Sequence, residues 1–381
     1  MRMEKIIIAP DSFKGTMSSA KVCEIIERSV RRRVPGAEVL SVPIADGGEG
    51  SVDAFLRAAG GEKKPINVTG PNGDPVEAFY GLLPDNTAVV EMAAAAGLPL
   101  AFGRRDPEKT TTYGVGQILR HLVETGVEKI IVGLGGSATN DGGAGAAAAA
   151  GVVFLDGNGK GFVPVGGTLR DIGRIDAGNM PRGFSDVEVI TMCDIDNPLC
   201  GPSGAAAVFG PQKGADPEMV KRLDNGLVHL AEVVRRDLKC GIANLKGAGA
   251  AGGMGGGMAA FFGSRLQPGI ETVLDTVGFD EMLCGADLVI TGEGKLDAQS
   301  LRGKAVIGVA RRAKRQNVMT VALVGDIGEG MEAAYDEGLA GAFTINRLAV
   351  PYDKARLTSE ADLEFTTDNL MRFILWKRRT T

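Results

Sequence analysis

A chain of 381 residues, 44% hydrophobic and 23% charged, has the balance of a globular protein and is long enough for two cores. A net charge of −5 and only 5% aromatic residues exclude the basic face and stacking platforms of a general nucleic-acid binder. No apolar run nears the roughly 20 residues of a membrane helix, and five cysteines without a close CxxC pair read as reduced thiols rather than disulfides or a zinc site. Met1 leads within a few residues into a strand rather than a signal segment, so a cytoplasmic protein with no membrane or nucleic-acid partner is expected.

In chain order, KIIIA (5–9) reads as a buried strand. After the loop APDSFKG a helix is expected from about Ser18, its candidate cap, with Val22, Ile25, Ile26, Val30 and Val34 along one face. The basic runs Arg31-Arg32-Arg33 and Arg311-Arg312 fall on predicted helices beside acids and read as solvated faces. A second strand, 38–45, ends in DGGEG, and a helix with Val52, Phe55, Leu56 and Ala59 inward stops at Gly60-Gly61. This is a β-α-β unit, the building block of a parallel sheet.

From about Pro65 the pattern changes to short alternating segments (INVTG, VEAFYGLL, TAVVEMA) with Pro-Asn-Gly and Pro-Asp-Asn turns, which predicts antiparallel strands. A helix at 117–124 and strands at 129–133 and 188–193 come next, then a long helix at 219–238. From Ala286 the β-α alternation returns: strand DLVIT, helix 305–315, strand 319–324, helix 331–337 and strand 341–345. Strand–helix alternation at both chain ends predicts a discontinuous α/β domain, 1–65 with 280–381, and an inserted domain, 66–279. The 56 glycines gather in GLGGSATNDGGAG and GAGAAGGMGGG, read as loops where backbone turns tightly or approaches a ligand closely.

The loops after the strands carry the chemistry. Asp11 comes after the first strand and Asp46 after the second. Ser137, Thr139, Asn140 and Asp141 come after KIIVGLGG, and Asp194 and Asp196 after VITMC. Glu293 and Asp297 come after LVITG, and Asp326 after VALVG. Ligands of open α/β sheets bind beyond the carboxyl ends of the strands. Glycine loops at helix starts present N–H groups to phosphate. Carboxylates hold Mg²⁺ through one or two contacts, another can take the proton of an attacking hydroxyl, and lysine or arginine offsets transition-state charge. Lys14, Lys213, Lys295, Arg302 and Lys304 are the candidate cations. The parts of a phosphoryl-transfer site are all present.

Only two histidines exist, His121 and His229, both in helical stretches, which disfavours a Ser-His-Asp hydrolase or a multi-histidine metal site. GLGGSA (133–138) and GAGAAG (247–252) fit the loose dinucleotide fingerprint G-x-G-x-x-G/A, so a nicotinamide-dependent dehydrogenase of a small hydroxy acid stands as a rival. No P-loop GxxxxGK[ST] and no protein-kinase signature occurs.

The motifs IIIAPDSFKGTMSS, VPIADGGEGS, GLGGSATNDGGAGAAAAAG, CDIDNPLCG, FGPQKGA, GAGAAGGMGGG and LVITGEGKLDAQS resemble, in order, those of the type 1 glycerate kinases, from the first strand to about residue 310. The resemblance implies a two-domain α/β fold, with a Rossmann-like domain from both chain ends and an inserted α/β domain. It implies ATP, Mg²⁺ and D-glycerate in a cleft between the domains, with 2-phosphoglycerate as product and 3-phosphoglycerate as the alternative. A monomer or homodimer is expected. Within that frame Asp194 is expected as the catalytic base, with Lys295 and Lys14 beside the reacting groups. Asp11, Ser12, Asp46, Asn197 and Lys213 are expected to bind substrate, and Glu293 and Asp297 the metal. Ser137, Thr139, Asn140, Gly142 and Gly143 are expected to cradle phosphates, the alternative for that loop being close packing with no ligand.

Overall fold

The computed structural model of the chain describes residues 3–44, 50–298, 300–302 and 304–376, with the side chain of Arg302 outside that set. The strand β1 (Lys5–Pro10) is almost wholly buried. Helix α1 (Ser19–Arg33) starts where Ser18, in extended conformation, accepts the Lys21 N–H at 3.3 Å. Strand β2 (Glu38–Ser41) is shorter than expected, yet Val42 and Ile44 still donate to the carbonyls of Ile8 and Pro10 at 2.7 and 3.0 Å. The chain therefore runs beside β1 as far as residue 44. Helix α2 (Ser51–Ala59) ends at Gly60, whose φ of +80° lies in the left-handed region that stops helices.

Strands β3 (Glu62–Thr69), β4 (Pro75–Leu82) and β5 (Thr87–Glu91) form the expected antiparallel meander. After α3 (Ala93–Ala96) and α4 (Tyr113–Glu124), strand β6 (Lys129–Gly133) joins β5 in parallel. Helix α5 (Ala144–Ala149) leads to a small antiparallel sheet of β7 (Val153–Asp156), β8 (Gly161–Phe162) and β9 (Ile172–Asp176), which the sequence pattern did not announce. Strand β10 (Glu188–Met192) and short α6 (Ala205–Phe209) precede α7 (Pro217–Leu238), capped by the Asp216 carboxylate, which accepts the Glu218 and Met219 N–H groups.

Helix α8 (Ala250–Phe262) and β11 (Arg265–Gln267) come next. The GAGAAGGMGGG run, expected as a loop, lies from Ala250 onward inside α8. It is kinked where Ala251, Gly252 and Gly253 take φ of 55°, 70° and 90°. The remaining elements are α9 (Gly269–Thr276), α10 (Phe279–Leu283), β12 (Leu288–Leu296), α11 (Ala305–Arg315), β13 (Thr320–Ile327), α12 (Ala333–Asp336), β14 (Leu339–Thr344) and α13 (Tyr352–Trp376).

The chain divides into two units. One comprises Met1–Asp46, Arg57–Ala59 and Pro268–Thr381, the other Gly47–Leu56 and Gly60–Gln267. The divisions fall earlier than the expected 65 and 280. The first unit holds, among the described residues, a five-stranded parallel sheet in the order β14-β13-β12-β1-β2. The second holds a mixed sheet in the order β11-β10-β6-β5-β4-β3, parallel from β5 to β11. Both sheets are flanked by helices, so the molecule is α/β in class. No described helix is long and apolar enough to cross a membrane.

Two charged features of the first unit differ from a simple solvated face. Arg312, expected at the surface, is buried and bonds Glu271 at 2.6 Å, Asp275 at 2.5 Å and Asp280 at 3.1 Å, tying α9 and α10 to α11. Long α13 lies against α1: Leu363, Leu370 and Met371 share a core with Val22, Ile26 and Val30, and charged pairs flank them. Arg33 forks onto Asp368 at 2.5 and 2.6 Å, and Arg28 and Arg32 hold Glu364 at 2.9 and 2.6 Å. The basic run on α1 is thus an acid-matched seam.

Hydrogen bonds from Arg33, then Arg372, hold the Asp368 carboxyl well below the usual carboxylate range. Because the folded value is depressed, its contribution is complete above the unfolded pKa near ~3.9 and is lost as pH falls through the folded value. We expect Asp368→Asn to lower the urea midpoint at pH 7, with the gap from wild type closing below about pH 4; parallel urea titrations across that range check it.

Candidate functional site

In the first unit the chain leaves β1 for β2 on one side, while β12 lies on the other side of β1. The direction of winding thus reverses between β1 and β12, and the crevice beyond the carboxyl ends of two such strands is where open α/β sheets bind ligands. Asp11 stands there directly after β1. Its N–H donates to Gly292 O at 2.8 Å, and its Oδ1 accepts the Ser12 N–H at 2.5 Å. Lys14, exposed on the same loop, has its carbonyl bonded by the Tyr352 hydroxyl at 3.2 Å.

Glu293 extends from β12 into the same region. It is 5% exposed, and its Oε1 has no hydrogen-bond partner. Burial pushes its carboxyl up to about 7, with Asp11 and Asp297 adding like charge, while a Ser300 hydrogen bond and Lys304 act in the other direction. Lys295, exposed, points its Nζ to within 3.6 Å of Asp297 Oδ2. Among the described residues no three acids, histidines or cysteines are grouped to cage a metal. One or two carboxylates with an unpaired buried oxygen nevertheless suit Mg²⁺, which keeps much of its water and binds substrate phosphates. Asp46, the other acid expected here, lies outside the described residues, as does the Arg302 side chain.

The second unit carries the glycine loop after β6. Ala138 N donates to Ala96 O at 2.9 Å, Leu98 N to Gly136 O at 2.9 Å, and Thr110 Oγ1 to Ala138 O at 3.0 Å, so the loop is clamped along its length. Lys213, expected to bind substrate, is 1% exposed and turned into the protein. Its ammonium donates to Ser137 Oγ at 2.8 Å and Thr139 O at 2.6 Å. Burial draws it down to about 7, opposed by the charge of Asp141.

Asp141 is fully buried and accepts from Thr112 N at 2.7 Å, Thr112 Oγ1 at 2.8 Å, Gly143 N at 3.1 Å and Gly145 N at 3.3 Å. Its desolvation pushes the carboxyl upward against those donors. The Gly143 amide, expected on phosphate, is therefore bonded to Asp141, and the Gly142 amide donates to Gly252 O at 3.1 Å. A Cβ on Gly142 would meet Leu230 Cδ2 at 2.3 Å, so this glycine also serves close packing. Three buried polar atoms of the loop have no partner: Thr139 Oγ1 and both amide ends of Asn140. Buried polar groups are almost always bonded, so this cluster of exceptions makes the loop a candidate ligand site.

Beyond β10, Asp194 is exposed. Asn197 uses its side-chain Nδ2 to hold Ser203 O at 2.8 Å, and its backbone carbonyl accepts the Gly249 N–H at 3.1 Å. The GLGGSA run leads into no helix before Ala144, and GAGAAG follows no strand and ends in the α8 kink, so neither has the strand–turn–helix context of a dinucleotide fingerprint. A further residue, not singled out by its sequence pattern, is Glu91 at the carboxyl end of β5. It is 3% exposed, accepts the Val52 N–H at 2.7 Å and so caps α2, which comes after DGGEG. An acid closing the otherwise apolar strand TAVVE was the available signal.

The Glycerate kinase family model matches residues 6–375. The chain belongs to the glycerate kinase family. A glycerate kinase of Halalkalibacterium halodurans is 44% identical over 380 residues, 99% of this chain and 100% of that one. The glycerate 2-kinase of Escherichia coli K12 is 42% identical over 343 residues, 90% of each chain. A crystal structure of a candidate glycerate kinase 2 from Salmonella typhimurium LT2 matches with a TM-score of 0.89 at 41% identity, covering 99% of this chain and 100% of that one. Glycerate kinase membership makes this chain an ATP-using phosphotransferase.

We expect Lys213→Met, which keeps the stem and removes the donors to Ser137 and Thr139, to raise the KM for ATP roughly tenfold, about 1.4 kcal/mol. Steady-state kinetics on cooperatively folding protein check this. An unchanged KM would show that the loop keeps its shape without the ammonium.

Proposed function

We propose that the protein transfers the γ-phosphoryl group of ATP to the 2-hydroxyl of D-glycerate, giving ADP and 2-phosphoglycerate. The observation that carries this is the similarity to a glycerate 2-kinase across nine-tenths of both chains. The unpaired buried atoms of Glu293, Thr139 and Asn140 support it, since they are what polyanion and metal recognition requires.

In this reading the hydroxyl oxygen of glycerate bonds to the γ-phosphorus as the bond to the β–γ bridging oxygen breaks, and the hydroxyl proton passes to a carboxylate. Asp194, exposed beyond β10, is the base. Ser137, Thr139 and Asn140 meet phosphate oxygens, and Gly142 and Gly143 let the loop close against its neighbours. Lys295 supplies positive charge where charge accumulates on the transferring group, and Lys14 faces the carboxylate of the acceptor. Asp11 and Ser12, with Asp46, orient the acceptor. Asn197 spends one amide N–H on Ser203 O and keeps a second that can donate to substrate. Lys213 acts through the loop it holds. Glu293 and Asp297 would hold Mg²⁺, which when bound offsets the charge of the nucleotide phosphates.

The test is ³¹P NMR of the protein with Mg·ATP and D-glycerate, against a control without glycerate. Glycerate-dependent ADP and a 2-phosphoglycerate resonance are expected. A 3-phosphoglycerate resonance would move the reaction to the other hydroxyl, and intact ATP would remove the acceptor assignment. Asp194→Asn should lower kcat by roughly 10²-fold or more, as loss of a general base does. A near-wild-type kcat would assign the proton to another group.

A further inference from the structure

The first unit contains a cavity of about 290 Å³ at the carboxyl ends of its strands, lined by the β1–α1 loop, the ends of β12, β13 and β14, and the first two turns of α13. Its floor is bare backbone. Gly294 and Gly325 line it, and a Cβ on Gly325 would come within 2.4 Å of Gly294 O, so the two strands present main chain where other residues would fill the space. Its three hydroxyls are turned to the protein: Thr16 Oγ1 donates to Phe13 O at 2.8 Å, Ser359 Oγ to Arg356 O at 3.0 Å, and Tyr352 to Lys14 O at 3.2 Å.

The charged lining is Lys14 and Arg356 against the single carboxylate of Asp326. Asp326 Oδ1 accepts the Ile327 N–H at 3.0 Å, and Arg356 Nε lies 4.0 Å from the almost fully exposed carboxylate of Asp353. Phe13, Ile345 and Val350 give the remaining wall an apolar surface. The cavity thus joins a net positive end to a short apolar wall, one residue along β12 from Glu293. Its volume is at the bottom of the range for drug-sized ligands, about 300 Å³, which suits an acid of three or four carbons and is small for a whole nucleotide.

We infer that this cavity receives the carboxylate end of the acceptor, a short hydroxy acid, and that Arg356, on a helix none of the sequence motifs reaches, is a specificity-determining residue for it. The inference rests on the glycerate reading of the reaction. Arg356 serves as the cation because its planar fork can meet both oxygens of a carboxylate, which an ammonium cannot. Lys14 adds charge from the β1–α1 loop that Tyr352 steadies.

The experiment compares wild type, Arg356→Gln and Arg356→Lys by steady-state kinetics with D-glycerate, and with glycerol as an acceptor lacking the carboxylate, each at saturating and limiting ATP. For Arg356→Gln the KM for glycerate is expected to rise at least tenfold with the KM for ATP within twofold. Arg356→Lys should recover part of that loss, and the weak use of glycerol should be the same in all three proteins. Melting temperatures within a few degrees would show α13 still docked. If the KM for ATP rises instead, the cavity belongs to the nucleotide and the inference fails. It fails equally if neither KM moves, or if glycerol use falls in step with glycerate. If wild type phosphorylates no glycerate, the acceptor reading falls and takes this inference with it; glycerate turnover with an unmoved KM overturns the cavity assignment alone.

Discussion

The second unit depends on main chain meeting main chain. At Gly252 a Cβ would sit 2.0 Å from Thr139 O, and at Gly257 it would sit 2.4 Å from Gly142 O. At Gly116 it would sit 2.1 Å from Ala146 O. Helix α8 can approach the loop after β6, and α4 can approach α5, only because these positions have no side chain. That approach seals Asp141 from water and sets its four donors around it. It also turns Lys213 inward, so that the loop is gripped from both sides. The shape of Ser137, Thr139 and Asn140 is a product of this packing, and any side chain at those glycines would push the loop away.

The first unit solves a different problem. Its sheet reverses winding at β1 and β12, and the reversal opens a crevice beyond their carboxyl ends. Asp11 is brought there by the loop after β1, and Glu293 and Asp297 by β12 and the turn after it. Helix α13, fixed to α1 by its apolar stripe and the Arg33–Asp368 fork, brings Tyr352 and Arg356 to the rim. Away from the sheet's carboxyl edge, the acids around Arg312 match its charge.

Much of the architecture was legible. Period-2 and period-3.6 patterns located β1, α1, the β3–β5 meander, α7 and the closing β-α run, and α11 matches its expected bounds of 305–315. The misses share a physical cause. GAGAAGGMGGG has no amphipathic period because α8 is buried on nearly every side, so its glycines looked like a loop. The small β7–β9 sheet has strands of two to five residues, too short for alternation to show. The candidate site was legible as residue types after strands, but not as contacts. Whether Lys213 faces a ligand or the protein's own oxygens depends on residues 74 and 76 positions earlier in the chain. Glu91 was hidden because one acid at a strand end has no period.

The unpaired atoms of Thr139, Asn140 and Glu293 have a cost as well as a use. A buried polar group without a partner destabilises the fold by about 1–3 kcal/mol, and here several such groups sit in two short stretches of chain. An apolar residue of similar shape, as in Thr139→Val, removes that cost and the recognition with it. If these stretches bind nucleotide and metal as proposed, they are where thermal robustness and turnover compete most directly. Selection for heat resistance alone, without a demand for activity, would be drawn to these positions first, and a library scored only by melting temperature would trace the outline of the working site through the variants that gain.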